Sequence, residues 1–134
     1  MLRITPDTNT LISAFISEGN EYKLLKLAKL GKIKIIVSIN ILKEFKDVIS
    51  RPKFGFSKEQ IKNAFKQILS ISEIIVPKIK IKLIKEDSED NKILECASAG
   101  NVDYIVSGDR HLLNLKEYKN IKIIRTFEIL KLIK

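Results

Sequence analysis

Residues 90–109 read DNKILECASAGNVDYIVSGD, and this stretch decides the fold. Ile93, Leu94 and Ala97 recur at helical spacing, Gly100 stands where a helix is expected to stop, and Asp103 to Ser107 is a short apolar run ending in Gly108-Asp109. The pattern predicts a helix, a glycine turn and a strand that delivers an acid at its carboxyl end. Working outward, the same grammar repeats. Leu2 to Pro6 reads as a strand closed by the polar turn Asp7-Thr8-Asn9, followed by a helical stretch with Leu11, Ile12, Phe15 and Ile16 that breaks at Gly19. Leu24, Leu27 and Ala28 mark a second helix over Glu21 to Leu30, stopped by Gly31, and Ile33 to Val37 is a buried strand. Asn40 to Ile49 carries the stripe Ile41, Leu42, Phe45, Val48 and Ile49 and ends at Arg51-Pro52. Ser57 with Gln60 forms a capping box ahead of Ile61, Ala64, Phe65, Ile68 and Leu69, and Ile74 to Val76 is a further strand stopped by Pro77.

Between Pro77 and Glu89, lysine alternates with isoleucine over Lys78 to Lys82 before the chain turns acidic. Two readings fit that alternation: an edge strand protected by its lysines, or an extended connector. Downstream, a brief helix is expected over Arg110 to Leu115, a strand over Ile121 to Ile124 and a last helix over Phe127 to Ile133. No repeat or linker divides residues 1–134, so a single domain is expected. Strands alternating with helices in one chain predict an α/β fold with a mainly parallel central sheet of four to five strands.

The chain of 134 residues is 45% hydrophobic and 31% charged, enough to bury a core. Five glycines and three prolines exclude a collagen-like or Pro/Gly-rich disordered chain. The longest stretch without a charged side chain, Thr8 to Ser17, is far short of the roughly 20 apolar residues that span a bilayer, so no membrane partner is expected. The N-terminus lacks a basic n-region followed by an apolar h-region, and a cytoplasmic location is the expectation. One cysteine cannot close an internal disulfide, and one histidine with one cysteine cannot build a nitrogen–sulfur zinc site, so any metal must be held by oxygen. The 21 lysines and four arginines outnumber 16 acids, giving a net charge of +9 spread along the chain. Such a field favours polyanions, although an AT-rich genome or a thermophile would also enrich lysine and isoleucine.

Against that positive background, acids recur where a parallel sheet binds ligands, beyond the carboxyl ends of its strands. Asp7 follows the first strand, Asp109 follows Ile105-Val106-Ser107, and Glu44 lies in the second turn of the helix that leaves the second strand. Asp90 opens the helix that feeds the Asp109 strand, in phase with Ile93, Leu94 and Ala97. Each has an ordinary alternative: turn residues at Asp7 and Asp109, a helix cap at Asp90, a solvated charge at Glu44. Together they predict a shared pocket. At an effective dielectric of about 20, two carboxylates about 5 Å apart repel by roughly 3 kcal/mol, so a cluster of four needs a counter-charge. Protons supply it by raising the pKa values; oxygen-seeking Mg²⁺ or Mn²⁺ supplies it at neutral pH. Carboxylate-held metal beside a basic surface suits phosphodiester hydrolysis.

Asp7-Thr8-Asn9, Glu44, the run Asp87 to Glu95, and Ala99 to Asp109 together resemble the PIN domain family, most closely its toxin components of toxin–antitoxin systems (VapC-like), as does Ser50-Arg51-Pro52-Lys53-Phe54. The resemblance covers essentially the whole chain. It implies a three-layer α/β/α sandwich and a Mg²⁺- or Mn²⁺-dependent endoribonuclease acting on an RNA substrate, often a homodimer and often inhibited by a cognate antitoxin. Carried over by position, Asp7, Glu44, Asp90 and Asp109 match the acidic quartet that binds metal and catalyses, with Asn9 and Ser107 as supporting polar residues. Asp87 is a further acid of the same run. Pro6 departs from the family where an apolar residue with an N–H is usual, and Phe127 follows Thr126 where that subgroup often has proline.

Arg51, Lys53 and Arg110 are candidate RNA contacts, with surface solubility as their ordinary role. His111 reads as a solvated loop histidine, Cys96 as a small core residue, and Tyr22, Tyr104 and Tyr118 do not interleave with lysines as a stacking platform would. The apolar stripe from Ile61 to Leu69 is a candidate dimer surface. Two other classes stay open. One is a non-catalytic RNA- or antitoxin-binding module on the same fold, which need not keep all four acids. The other is phosphoryl transfer through an aspartyl-phosphate; Asn9 stands where haloacid-dehalogenase-like domains need a second aspartate, and no acidic pair closes the first strand as receiver domains require.

Overall fold

A computed structural model describes residues 1–78 and 88–133, with residues 88 and 89 described by backbone alone. In chain order the elements are β1 (Leu2–Pro6), α1 (Thr8–Ile16), α2 (Asn20–Lys29), β2 (Ile33–Ser38), α3 (Ile39–Ile49), α4 (Lys58–Ile71), β3 (Ser72–Ile75), α5 (Ser88–Ala99), β4 (Tyr104–Val106), α6 (Arg110–Leu115), β5 (Glu117–Tyr118), β6 (Ile121–Ile124) and α7 (Thr126–Leu132). The expected α/β architecture is present: a central, mainly parallel sheet flanked by helices in a three-layer sandwich. Of the alternating Lys78 to Lys82 run, all but the first residue lies outside the described residues, as does Asp87.

The sheet order is β3-β2-β1-β4-β6-β5, with every described pairing parallel except the antiparallel β5–β6. Among the described residues, six strands thus replace the expected four to five. The extra one is the two-residue β5, joined to β6 by Lys119 and Asn120, both at positive φ (48° and 67°), the backbone of a type I′ hairpin. A two-residue strand carries no readable periodicity. β3 also begins two residues earlier than the apolar run Ile74 to Val76 suggests, because Ser72 and Glu73 pair with Ile35 and Ile36 of β2, and it ends before Val76, which is 68% exposed.

β2 explains why a parallel sheet forms: Ile33, Ile35, Ile36 and Val37 are all buried, and such a run suits a strand covered on both faces. α1 packs on α2 and α3, α2 also meets α7, and α5 lies against β1, β2 and β4. The predicted capping box is made: the Ser57 N–H donates to Gln60 Oε1 at 2.8 Å, and the Gln60 N–H donates to Ser57 Oγ at 3.1 Å. Gly31 ends α2 with φ +74°, the left-handed conformation that favours glycine. At the amino end of the sheet, the Arg3 guanidinium reaches Glu73 at 2.9 Å and the Gly100 carbonyl at 2.7 Å, tying β1 to β3 and to the end of α5.

The order contains one topological switch point. From β1 the chain winds outward to β2 and β3, then returns to build β4, β6 and β5 on the other side of β1. In open α/β sheets the crevice for a ligand lies beyond the carboxyl ends of the strands at such a point. Here that is the end of β1 and β4, where Asp7, Ser107 and Asp109 stand.

Candidate active site

Pro6 pairs with Val106 across the β1–β4 register, and the Asp7 N–H donates to the Val106 carbonyl at 3.0 Å. Alternate residues of β1 face opposite neighbours, so the absent Pro6 N–H leaves the β1–β4 ladder intact, and Asp7 is fixed at the switch point. Asp7 also caps α1, its Oδ1 accepting the Thr10 N–H at 2.8 Å. Its Oδ2 accepts the Ser107 hydroxyl at 2.5 Å. Ser107 Oγ in turn accepts the Asp109 N–H at 2.9 Å, so one buried hydroxyl joins the two acids. Asp109 caps α6 through Oδ1, which accepts the N–H groups of His111 and Leu112 at 2.8 and 3.2 Å. Its Oδ2 takes no hydrogen bond from a described residue.

Both aspartates thus do the capping work that the ordinary alternative assigns them, and both stand at the site. Asp7 is only 4% exposed. Burial drives its carboxyl above the usual aspartate range, the Ser107 and Thr10 donors pull it back down, and the nearby Asp109 charge adds to the rise. A carboxylate held this way gains from a cation. The donors are oxygen atoms with lone pairs to spare, which fits the Mg²⁺ or Mn²⁺ class in kind.

Asp90 and Glu44 stand on other elements. Asp90 is the third residue of α5, inside the helix and not its cap, and is 6% exposed. Glu44 is half-buried on α3, bordering a groove of about 500 Å³ with Asn40, Lys43, Arg51 and Lys92. Asp7 and Asp90 are buried and Asp109 half-buried, but the quartet does not close on one point: among the described residues, no three His, Cys, Asp or Glu side chains gather closely enough to hold a metal ion. The structure joins Asp7, Ser107 and Asp109 by hydrogen bonds, while Glu44 and Asp90 stand on α3 and α5 outside that linkage.

Asn9 is exposed and, with Ser107, lines a cavity of about 240 Å³ bounded also by Asn20, Glu21, Arg125 and Phe127. The last four were not singled out as site residues from sequence. The signal was available, since Arg125 follows β6 as Asp109 follows β4, and residues after parallel strands line the ligand crevice. Arg51, Lys53 and Arg110 are all exposed, Arg51 in the Glu44 groove and Lys53 with its ammonium 5.1 Å from the Phe54 ring centroid. His111 is half-buried in α6, not a loop residue. Cys96 is in the core, its thiol pushed up to about 12 by burial.

The sequence matches the PIN domain family over residues 3–111. The chain belongs to that family. PIN domains are generally nucleases, and PIN nucleases generally use divalent metals. Comparison with curated protein sequences gives no match. Among solved structures, this PIN domain is similar to the crystal structure of VapBC2 from Rickettsia felis bound to a DNA fragment from their promoter, with a TM-score of 0.66 and 23% identity over 91% of this chain and 97% of that chain. At that identity the likeness speaks for the fold. Among the described residues of this PIN domain, no helix is long and apolar enough to cross a membrane.

Proposed function

We propose that this PIN domain is a Mg²⁺- or Mn²⁺-dependent endoribonuclease and the toxin of a toxin–antitoxin pair, working in the cytoplasm. The observation that carries the proposal is the joining of Asp7 and Asp109 through Ser107 at the switch point of the sheet. Asp7, Asp109, Asp90 and Glu44 would hold the metal, which when bound activates water and neutralises charge on the leaving oxygen. The protein's own part is to bind and orient the strand. Ser107 and Thr10 aim donors at Asp7 that pull its burial-raised carboxyl back down, and the first turn of α6 holds the Asp109 side chain in place. Ser107 fixes the distance between the two acids, and Asn9 borders the crevice a strand would enter. The net charge of +9 draws RNA to the surface, with Arg51, Lys53 and Arg110 as phosphate contacts.

The toxin assignment rests on the resemblance of the sequence and on the fold shared with VapBC2. A cognate antitoxin and a second copy of the chain are its partners. Of the stripe Ile61 to Leu69, Ala64 and Ile68 are buried in the chain's own core and Leu69 is 39% exposed, so α4 offers a dimer only its outer edge. Purified protein should cleave RNA with Mn²⁺ or Mg²⁺ and not with EDTA, and Asp7→Asn or Asp90→Asn should abolish both cleavage and metal binding. One observation favours the alternative of a non-catalytic RNA- or antitoxin-binding module, namely that no three acids gather among the described residues. Intact RNA beside salt-sensitive binding would select that reading.

A further inference from the structure

The cavity of about 240 Å³ beside Ser107 is unlike the rest of the basic surface. It is smaller than the roughly 300–1,000 Å³ of sites that swallow a drug-sized ligand, and so suits one nucleotide unit. Its lining mixes three kinds of group. Arg125 is exposed and its guanidinium makes no hydrogen bond or ion pair with any described residue. Phe127 is 47% exposed at the cavity rim, with the Lys131 ammonium 5.4 Å from its ring centroid and the opposite face left for a base. The side chains of Asn20 and Glu21, from the start of α2, are likewise uncommitted among the described residues. A cation, an aromatic face and a polar pair that can read a base edge are what single-stranded RNA recognition requires.

We infer that this cavity is a subsite for one unpaired nucleotide of the RNA strand next to the cleaved phosphodiester, with Phe127 stacking the base, Arg125 holding a phosphate, and Asn20 with Glu21 reading the base edge. The inference rests on the ribonuclease reading and deepens it with a base preference. A carboxylate accepts and cannot donate, so Glu21 favours an edge with adjacent N–H groups. Guanine presents two such donors on its pairing edge; uracil presents one, flanked by carbonyls that repel a carboxylate. The subsite therefore prefers guanine.

The test is fluorescence anisotropy with labelled UUGUU, UUAUU, UUCUU and UUUUU RNA in EDTA, where neither cleavage nor metal binding enters the readout. Wild-type protein should bind UUGUU about fivefold or more tighter than UUUUU. Phe127→Ala should weaken all four by about fivefold or more, and Phe127→Tyr should restore them. Arg125→Ala should also weaken all four, lowering the slope of log affinity against log salt by about one. Glu21→Gln should erase the guanine preference. Equal binding of the four RNAs by wild-type protein, no detectable binding, or Phe127→Ala and Arg125→Ala proteins that bind like wild type would each overturn the inference. Failure of the ribonuclease reading has a separate signature, RNA uncleaved in Mn²⁺, which does not alter these affinities.

Discussion

Replacing Ser107 with alanine removes one hydroxyl and two hydrogen bonds while leaving the packed Cβ in place. The residue is 1% exposed, so water does not replace what is lost. The bond from its hydroxyl to Asp7 Oδ2 is charge-assisted, and losing such a bond costs about 1.5–3 kcal/mol. At about 1.4 kcal/mol per decade, the upper limit, reached if all of it passes to cation affinity at Asp7, is roughly a 150-fold loss. An independent expectation, from groups that orient metal-binding side chains without touching the metal, is about 10- to 100-fold. The pH dependence has a definite sign. The Ser107 hydrogen bond lowers the proton affinity of Asp7, so its removal lets the carboxyl rise further and the proton competes with metal up to a higher pH. Calorimetric Mn²⁺ titration at several pH values should therefore show weaker binding for Ser107→Ala, with the pH of half-maximal affinity moved upward. Ser107→Thr, which keeps the hydroxyl, should recover part of the loss. Mn²⁺ affinity of Ser107→Ala within twofold of wild type at every pH would refute the reasoning.

Two further outcomes follow from the same geometry. Burial raises the Asp7 carboxyl in the folded state, so without metal the native protein holds a proton that the unfolded chain gives up. That contribution to stability is complete below the unfolded value of 3.8 and is lost as pH rises through the higher folded value; melting in EDTA should show this loss in wild type and not in Asp7→Asn. At the opposite end of the sheet, a Cβ on Gly100 would lie 2.5 Å from Ile36 Cγ2, a fully buried atom group with nowhere to move. Gly100→Ala should destabilise by about 1–3 kcal/mol in denaturant melts while leaving Mn²⁺ affinity near wild type, since the strain lies away from Asp7.

The larger elements were legible in the sequence because each carried its own signal. The stripe of α3, the capping box of α4 and the glycine that ends α2 all stand where the residues place them. What escaped was short or context-dependent. β5 is two residues long and is held by pairing with β6. β3 starts at Ser72 because of its neighbour β2, with Ile35 opposite Ser72, and not because of its own apolar run. Pro6 at the end of a central strand looks like a defect, yet the Asp7 N–H supplies the next bond in register.

The site was legible one acid at a time, from the rule that residues after parallel strands matter. Ser107 and Asp109 after β4, and Asp7 after β1, meet as that rule predicts. Sequence could not give the spacing between those acids and the two on α3 and α5, because helix packing sets it. Nor did it give the Arg125 and Phe127 side of the cavity, although the same rule applied to β6 reaches both.

The central claim is that Asp7 and Asp109 hold a divalent cation at the switch point. Crystals grown with Mn²⁺ and measured at the manganese absorption edge test it most directly. An anomalous peak within bonding distance of both carboxylates is the predicted result. A peak elsewhere, or bound Mn²⁺ that leaves both aspartates untouched, would contradict it.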